Sequence, residues 1–362
     1  MRTKTFHSIL FTCILIALYS CQGQVQETPP IESEPKELGK VVTEFDSYIW
    51  QVFQDQNDNY WFGSNGNGLF FYNGKELRRF STDDGLADNS IRGFQADHLG
   101  NVFIETPLGV SKYTENSFTS LEVVRSPKNE WKLESTDLWF NCNGMPNDLY
   151  RYDGEKLYEL KLPNKDLTRA FGQKVYGLSF PGMNPSQYSV FGIDKDSDGN
   201  LWIGTITAGA YRYDGKSFLW FPEKELSTLP DGRVPGVRSM LEDKEGYMWL
   251  SNWKSKYKII ENDGVLSYEK LEGLASPDDD LPYFNAGLRD RNGVLWMTSY
   301  GGRVWKYSEN ELTLYPVKYG EEDALIISIY EDNSGQLWLG TSNAGVYTFN
   351  EGEYERFDPF GN

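Results

Sequence analysis

The chain has 362 residues, with 53 acidic and 35 basic side chains and a formal net charge of −18. Nucleic-acid binding needs clustered Lys and Arg, and no block of basic residues interrupts the sequence, so we exclude nucleic acid as a partner. Anionic lipid headgroups would also repel such a surface. Any attachment to a membrane should therefore come from a covalently bound lipid.

Residues 1–20 have the pattern of a secretory signal peptide. Arg2 and Lys4 precede the apolar run 9–18, which is about half of the roughly 20 residues that a membrane-spanning helix needs. The run ends in Leu-Tyr-Ser-Cys at Cys21, which resembles the bacterial lipobox, whose cysteine is lipidated and becomes the mature amino terminus. We expect a lipoprotein with lipidation at Cys21, in preference to an ordinary signal peptide followed by a chance cysteine.

A tether is predicted at residues 21–40, because this segment has few apolar residues and many Pro and Glu. Signal removal also takes Cys13 away, and the lipid accounts for Cys21, so Cys142 has no partner for a disulfide within the mature chain. The folded domain, residues 41–362, must therefore rely on its core.

One short motif recurs seven times along this domain. Its copies include "NYWFGS" (59–64), "NLWIGT" (200–205) and "QLWLGT" (336–341). The anchoring aromatic residues are 42, 36, 63, 47, 47 and 42 positions apart, a spacing typical of propeller blades. They are Trp61, Phe103, Trp139, Trp202, Trp249, Trp296 and Trp338.

Each copy predicts four short antiparallel β-strands with tight turns at Gly and Asn. The tryptophan strands are apolar on both faces, as in radially stacked sheets, and a single repeat could not bury both faces alone. The sequence therefore predicts an all-β, seven-bladed β-propeller of four-stranded antiparallel blades, which start near residues 48, 91, 130, 188, 237, 284 and 325. Both 41–45 and 354–357 look like an outer strand, and we expect one of them to complete the last blade.

The stretch "DKDSDGNLWIGT" (194–205) begins with the spacing of a calcium loop, at Asp194, Asp196 and Asp198. An EF-hand would have Glu at its twelfth position, where this chain has Thr205, and the ninth position is Trp202. Other copies keep the Asp and the Gly of the same turn without the additional acids. We therefore interpret the stretch as a hairpin turn and predict neither a metal site nor a cofactor.

The unit "D..G.LW.GT...G.Y.YDG", clearest at 196–215 and 332–347, resembles the two-component regulator propeller repeat, and the resemblance extends from Tyr48 to about Phe357. Members of that family are often periplasmic sensor halves of hybrid histidine kinases that detect glycans or other nutrients, with a further β-domain, a membrane helix and a kinase after the propeller. This sequence ends at Asn362. We therefore expect recognition or scaffolding without a kinase, on a lipid anchor in the bacterial cell envelope, with the outer membrane as the expected location.

The binding face is predicted from the distribution of insertions. In a four-stranded antiparallel blade, the loops between the second and third strands share one face with the connections between blades. The long segments 163–187, 222–236 and 272–283 all lie on that face.

Amides and aromatic rings in the short loops of that face suit the hydroxyls and C–H faces of a neutral sugar. For a single Asn, the need of a hairpin for left-handed residues is a sufficient explanation, whereas Trp253, Tyr300 and Arg303 depart from the repeat and are stronger candidates. The complete set of predicted ligand-binding residues is Trp253, Tyr300, Arg303, Asn252, Asn65, Asn67, Asn143, Asn343, Arg169, Tyr176 and Tyr283.

No catalytic residue is predicted. Beyond the signal peptide the sole histidine is His98, in a turn on the face opposite the insertions. Antibiotic lyases on similar propellers use His as the base, so this resemblance argues against such chemistry. A carboxylate pair for polysaccharide cleavage stays open, because acids are plentiful and the sequence does not show their separation. The leading hypothesis is a module that binds a glycan or an envelope protein. The alternatives are a polysaccharide lyase or hydrolase and a structural subunit of an envelope complex.

Overall fold

A computed structural model of the chain describes residues 38–114, 116–142, 149–171, 186–275 and 283–361. Its β-sheets form the seven blades of a β-propeller, which confirms the predicted fold class. Helix is confined to Leu167–Phe171 and to the 3-10 turns Thr82–Asp84 and Lys224–Leu226 in this part of the chain. No helix within these ranges is long and apolar enough to cross a bilayer.

The strands of each blade are given from the channel outwards. Blades one and two contain Ile49–Gln54, Tyr60–Ser64, Leu69–Tyr72 and Leu77–Phe80, then Gly93–Ala96, Val102–Thr106, Gly109–Thr114 and Ser117–Ser120. Blades four and five contain Val190–Lys195, Leu201–Thr205, Ala210–Tyr213 and Phe218–Phe221, then Met240–Glu242, Met248–Leu250, Ser255–Asn262 and Val265–Glu272. Blades six and seven contain Ala286–Arg289, Leu295–Ser299, Arg303–Ser308 and Glu311–Pro316, then Ile326–Glu331, Leu337–Thr341, Val346–Asn350 and Glu353–Arg356. A small hairpin, Lys318–Tyr319 with Glu322–Asp323, links the last two blades.

Ring closure uses the carboxyl-terminal candidate strand. Glu353–Arg356 completes blade seven, whereas the strand Lys40–Val42 pairs antiparallel with Leu77–Phe80 as a fifth, outermost strand of blade one. The two blades are joined by side chains, since the Tyr60 hydroxyl donates to Asp332 Oδ2 at 2.7 Å. The N-terminal segment therefore reinforces the first blade and does not complete the last.

The recurring Asp organises the turn that precedes most of the tryptophan strands. In blade four, Asp196 Oδ1 accepts the backbone N–H of Asn200 at 2.8 Å, and Oδ2 accepts Trp202 Nε1 at 2.9 Å. Gly199 takes the left-handed conformation of the turn, with φ of 82°. The same indole-to-carboxylate bond, at 2.8–2.9 Å, recurs in Trp61–Asp55, Trp249–Asp243, Trp296–Asp290 and Trp338–Asp332. Among the described residues, no group of three or more His, Cys, Asp or Glu could hold a metal ion.

The core consists of apolar layers between neighbouring blades. Trp202 of blade four, for example, packs with Met240 and Leu250 of blade five, and all three are buried. The tryptophan strands are buried on both faces, as their composition predicts; the strand Leu201–Thr205 is buried throughout. Each blade therefore depends on its neighbours for most of its apolar burial.

Blade three departs from the predicted arrangement. It contains Leu138–Phe140, Leu149–Tyr152, Leu157–Leu160 and Val123–Arg125, and the last of these lies at the outer edge, parallel to Leu157–Leu160. Residues 126–137 form no strand, so no inner strand starts near residue 130. Trp131 instead stacks on Trp139, with centroids 5.8 Å apart, and meets Phe218 of blade four edge-on at 4.7 Å. The chain thus crosses between blades three and four and leaves the innermost position of blade three vacant.

Candidate functional site

A cavity of about 410 Å³ opens on the channel at the end where the inner strands begin, which is the predicted binding face. We call it the mouth cavity. In six blades a buried apolar residue, such as Ile49 or Val237, lies at or shortly before the start of the inner strand. The next residue lines the cavity, because successive side chains of a strand point in opposite directions. These six lining residues are Trp50, Arg92, Phe191, Arg238, Asn285 and Ile327, and blade three contributes Asn141.

Two arginines of the mouth cavity lie against aromatic rings. The Arg92 guanidinium lies 4.7 Å from the ring centroid of Trp50, and that of Arg238 lies 4.3 Å from the centroid of Phe191. Arg92 Nη1 donates to Asn65 Oδ1 at 2.8 Å, and Arg238 Nε donates to the carbonyl of Pro235 at 2.8 Å. Burial lowers the pKa of Arg92, and the charge of Asp88 offsets part of this effect.

Two tyrosines border the same region. Tyr300 is 40% exposed and lines the mouth cavity. Tyr283 is 7% exposed, and burial raises the pKa of its hydroxyl, which the nearby charge of Arg238 partly counteracts. A β-bridge ties Tyr283 to Asn252. The exposed ring of Tyr300 is thus available to a ligand, whereas Tyr283 supports the wall.

A second cavity, of about 510 Å³, fills the position of the missing inner strand, between Gln95 of blade two and Lys195 of blade four. We call it the blade-three notch. Side chains form hydrogen bonds with the backbone groups that the missing strand would have paired with. Gln95 Nε2 donates to the Trp139 carbonyl, and Trp139 N donates to Gln95 Oε1 at 3.4 Å. Lys195 Nζ donates to the carbonyl of Asp137 at 3.1 Å. A side-chain amide thus substitutes for a peptide group of the absent strand.

Three acidic residues line the notch, and one of them, Asp137, is paired with Arg151. Glu105 is buried and accepts the backbone N–H groups of Asn141 and Cys142 at 3.1 and 3.3 Å; burial raises its pKa to about 7, and these hydrogen bonds limit the rise. Enclosure by the channel walls also raises the pKa of Asp194, although this residue is exposed within the channel. Asp194 and Asn141 line both cavities, so the mouth cavity and the notch are parts of one axial channel.

The predicted asparagines have structural partners. Asn65 holds Arg92, and Asn67 Nδ2 donates to Asp46 Oδ2 at 2.7 Å. Asn343 Oδ1 accepts the N–H of Leu325 at 2.8 Å, and the buried Asn252 donates to the Glu225 carbonyl at 3.3 Å. Three of the four therefore organise loops, and Asn65 alone contacts a side chain that lines the mouth cavity.

The structure corrects the prediction for Trp253. This residue is 4% exposed and packs in the core beside Trp305, with centroids 6.1 Å apart, so its ring is not accessible for stacking on a sugar. Arg303 is half-buried in the third strand of blade six, and Arg169 is exposed on the short helix. Neither lines the mouth cavity.

Three predicted residues, Asn143, Tyr176 and the lipidation candidate Cys21, lie outside the described residues. His98 lies exposed in the first turn of blade two, and Cys142 is buried.

Sequence reasoning missed Arg92, Arg238 and Glu105, because it examined the loops and not the strands, and it interpreted Asp194 as part of a hairpin turn. The sequence did contain a signal for the two arginines. Equivalent positions in the six copies with an inner strand hold Trp, Phe, Asn and Ile as well as Arg, so a cation there is not required by the repeat.

Comparison with known proteins agrees with this architecture. Residues 184–207 and 320–343 match the model for the two component regulator propeller, which confirms the predicted resemblance. No curated protein sequence is significantly similar to this chain.

Among solved structures, a streptogramin B lyase is similar with a TM-score of 0.58 at 15% identity, over 87% of this chain and 96% of that one. Virginiamycin B lyase from Staphylococcus aureus is similar with a TM-score of 0.56 at 16% identity, over 85% and 96% of the two chains. The extracellular domain of a putative hybrid two component system from B. thetaiotaomicron has a TM-score of 0.56 at 19% identity, over 86% of this chain and 40% of that one. At these identities the likeness shows the propeller fold.

Proposed function

Because the chain carries two-component regulator propeller repeats, we propose that it is a ligand-binding, sensor-like module of the bacterial cell envelope and that a glycan ligand enters the mouth cavity. The observation that carries this proposal is the convergence of residues from all seven blades on one cavity of about 410 Å³, a volume within the range of small-molecule sites. An exposed tyrosine and two arginines line it. Similarity to a putative sensor's extracellular domain supports the sensor role.

Calorimetric titration of the soluble domain with a panel of oligosaccharides tests this proposal. We expect at least one member to bind and Tyr300→Ala to weaken that binding about tenfold, because an aromatic stacking surface is lost. Tyr319→Ala is the matched control, since Tyr319 is exposed to a similar degree in the hairpin between blades six and seven but does not line the cavity. Unchanged affinity in Tyr300→Ala, or no binding by any member of the panel, would refute the proposed site.

Lipid anchoring through Cys21 is a separate part of the proposal, supported by its position after the apolar run of the signal sequence. Cells grown with an alkyne-bearing fatty acid should label the wild-type protein and not Cys21→Ser. Cys13→Ser is the control and should keep the label, because signal removal discards that residue. Equal labelling of wild type and Cys21→Ser would exclude this anchor.

A second candidate function, cleavage of a polysaccharide, is favoured by the notch alone. Glu105, whose pKa lies at about 7, is partly protonated near neutral pH and has the property of a general acid. Release of reducing ends from a polysaccharide panel would support cleavage if Glu105→Gln abolishes it and the surface variant Glu130→Gln retains it. No product from any polysaccharide would eliminate this candidate.

A further inference from the structure

The two arginines of the mouth cavity form a repeated arrangement within the ring. Arg92 of blade two lies over an aromatic ring of blade one, and Arg238 of blade five lies over an aromatic ring of blade four. In blade seven the equivalent position is Ile327, and in blade six it is Asn285. The fold therefore does not require a cation there, and the two Arg–aromatic pairs are specific features of this cavity.

Neither guanidinium has a carboxylate in direct contact among the described residues, although the charge of Asp88 acts on Arg92. No carboxylate in that part of the chain forms a salt bridge with Arg92 or Arg238, although the chain has 53 acidic residues. Asp194 lines the same cavity without forming an ion pair with either. A partly buried charge is costly unless an opposite charge compensates it. Asp88 compensates Arg92 only in part, so a ligand would supply the remaining negative charge.

The remaining donors define what that ligand would carry. A guanidinium has five N–H donors, and the described contacts of Arg92 use one of them. A ring beneath the guanidinium leaves its in-plane N–H groups available for two parallel bonds to a carboxylate or a sulfate. Beside the arginines, the exposed ring of Tyr300 provides apolar surface for the C–H face of a sugar, whereas the rings of Trp50 and Phe191 support the guanidiniums.

We propose that the ligand of the mouth cavity is an acidic sugar whose anionic groups, carboxylates or sulfate esters, are bound by Arg92 and Arg238. This inference rests on the proposed function and specifies the class of glycan. It replaces the neutral sugar expected from the loop residues, since the amides that motivated that expectation are used within the loops.

Titration with sugars that differ at carbon 6 alone tests the charge. The probes are galactose, galacturonate and galactose 6-sulfate, together with the corresponding glucose series and their disaccharides. We expect an anionic member to bind at least tenfold more tightly than its neutral counterpart, and its affinity to fall with added salt. Comparison of the uronate with the sulfate identifies which anionic group the site accepts.

Variants assign this preference to the arginines. Arg92→Gln and Arg238→Gln should each weaken the anionic sugar about tenfold or more and leave the neutral sugar unchanged. Arg92→Lys should retain part of the preference, because the charge remains while the paired donors are lost. Arg125→Gln, at the exposed outer edge of blade three, is the control, and near-ultraviolet circular dichroism checks that each variant is folded.

The outcomes separate this inference from the proposed function. If a neutral sugar binds in a Tyr300-dependent way and its uronate and sulfate bind no more tightly, the inference is wrong and the proposed function stands. Equal loss of neutral and anionic binding in the arginine variants also overturns the inference. If no sugar binds the wild-type domain, both are wrong.

Discussion

Blade four and blade three were built from the same repeat and differ at the channel. In blade four, Asp196 joins the turn, the tryptophan and Arg212 in one hydrogen-bonded unit, and the inner strand Val190–Lys195 borders the axis. In blade three the inner strand is absent, and Trp139 Nε1 is buried without a hydrogen-bond partner within the described structure. Blade four thus shows the hydrogen bonds of a complete repeat, and blade three shows that the ring forms even when one inner strand is absent.

Side chains of neighbouring blades can replace the hydrogen bonds of a missing strand. Gln95, Glu105 and Lys195 bind the backbone groups that the inner strand of blade three would have paired with. Because buried backbone groups must be satisfied, this substitution stabilises the exposed edge while a cavity remains at the axis. The absence of the inner strand therefore both interrupts the repeat in blade three and opens the notch at the channel.

The largest effect is expected for Asp137→Ala in blade three. Asp137 and Arg151 form a bidentate ion pair at 2.6 and 2.8 Å, and their side chains are 1% and 8% exposed. Removal of one partner from a buried pair costs about 3–5 kcal/mol of unfolding free energy, measurable by urea denaturation. The double variant Asp137→Leu with Arg151→Met should be much closer to wild type, since no charge is left unpaired. Equal losses in the single and double variants would contradict this account.

The next largest effect is the pH dependence of the unfolding free energy that Glu105 causes. Its pKa is about 7 in the folded chain against 4.5 for the unpaired group, so the folded state binds more protons between these values, and the unfolding free energy decreases as pH rises through that window. The decrease attributable to this carboxyl is about 3 kcal/mol. Glu105→Gln should reduce this slope and leave the part that comes from Asp194, whose pKa is raised in the same direction.

The matched control for this pH dependence is Glu130→Gln, whose side chain is exposed. Its stability profile should overlay that of the wild type between pH 4.5 and 7. A Glu105→Gln profile parallel to the wild-type profile would show that this carboxyl is not the source of the slope.

A smaller effect is expected for Gln95→Leu, which keeps the size of the side chain and removes its amide. The N–H and carbonyl of Trp139 would lose their partners, at a cost of about 1–3 kcal/mol. Gln56→Leu removes an exposed amide that bonds the Leu99 carbonyl and should change the stability by less than about 0.5 kcal/mol. Similar values for the two variants would mean that Gln95 does not substitute for the missing strand.

The smallest effect comes from a direct comparison of the two tryptophans. Trp202→Phe loses the bond from the indole to Asp196, whereas Trp139→Phe loses no hydrogen bond within the described structure. The loss of ring volume is the same in both, so Trp202→Phe should be more destabilising by about 1 kcal/mol. Thermal and urea unfolding of both variants measure the difference, and an equal or reversed order would refute it.

Much of the fold could be predicted because it is local and repeated. The turn at Asp196 and Gly199, and the apolar strand after it, recur in most copies, and each recurrence marks a blade. The vacant position in blade three was not predicted, although its copy, "ESTDLWF" (134–140), lacks the Gly that follows Asp in five of the six other turns. Strand pairing at the outer edge by Val123–Arg125 involves residues distant in sequence, and no local pattern specifies it.

The candidate site was predictable only in its location. Tyr300 lies at the mouth cavity on the predicted face, whereas Trp253, the other aromatic candidate, is buried against Trp305. Both residues depart from the repeat in the same type of loop. They differ in exposure because the adjoining blade covers the ring of Trp253 and leaves that of Tyr300 open. Burial depends on neighbours that the chain brings together from 50 or so residues away, so a loop sequence does not reveal it.

The sequence by itself determined the number of blades, the turns and the buried tryptophan strands, because each follows from contacts within one repeat or between identical neighbours. The tertiary structure decided which repeat lacks its inner strand, which terminal strand completes the last blade, and which side chains meet at the axis. Six inner strand starts and Asn141 of blade three, spread over nearly 280 residues from Trp50 to Ile327, become neighbours only when the ring closes. The charge and shape of the channel are therefore properties of the closed ring.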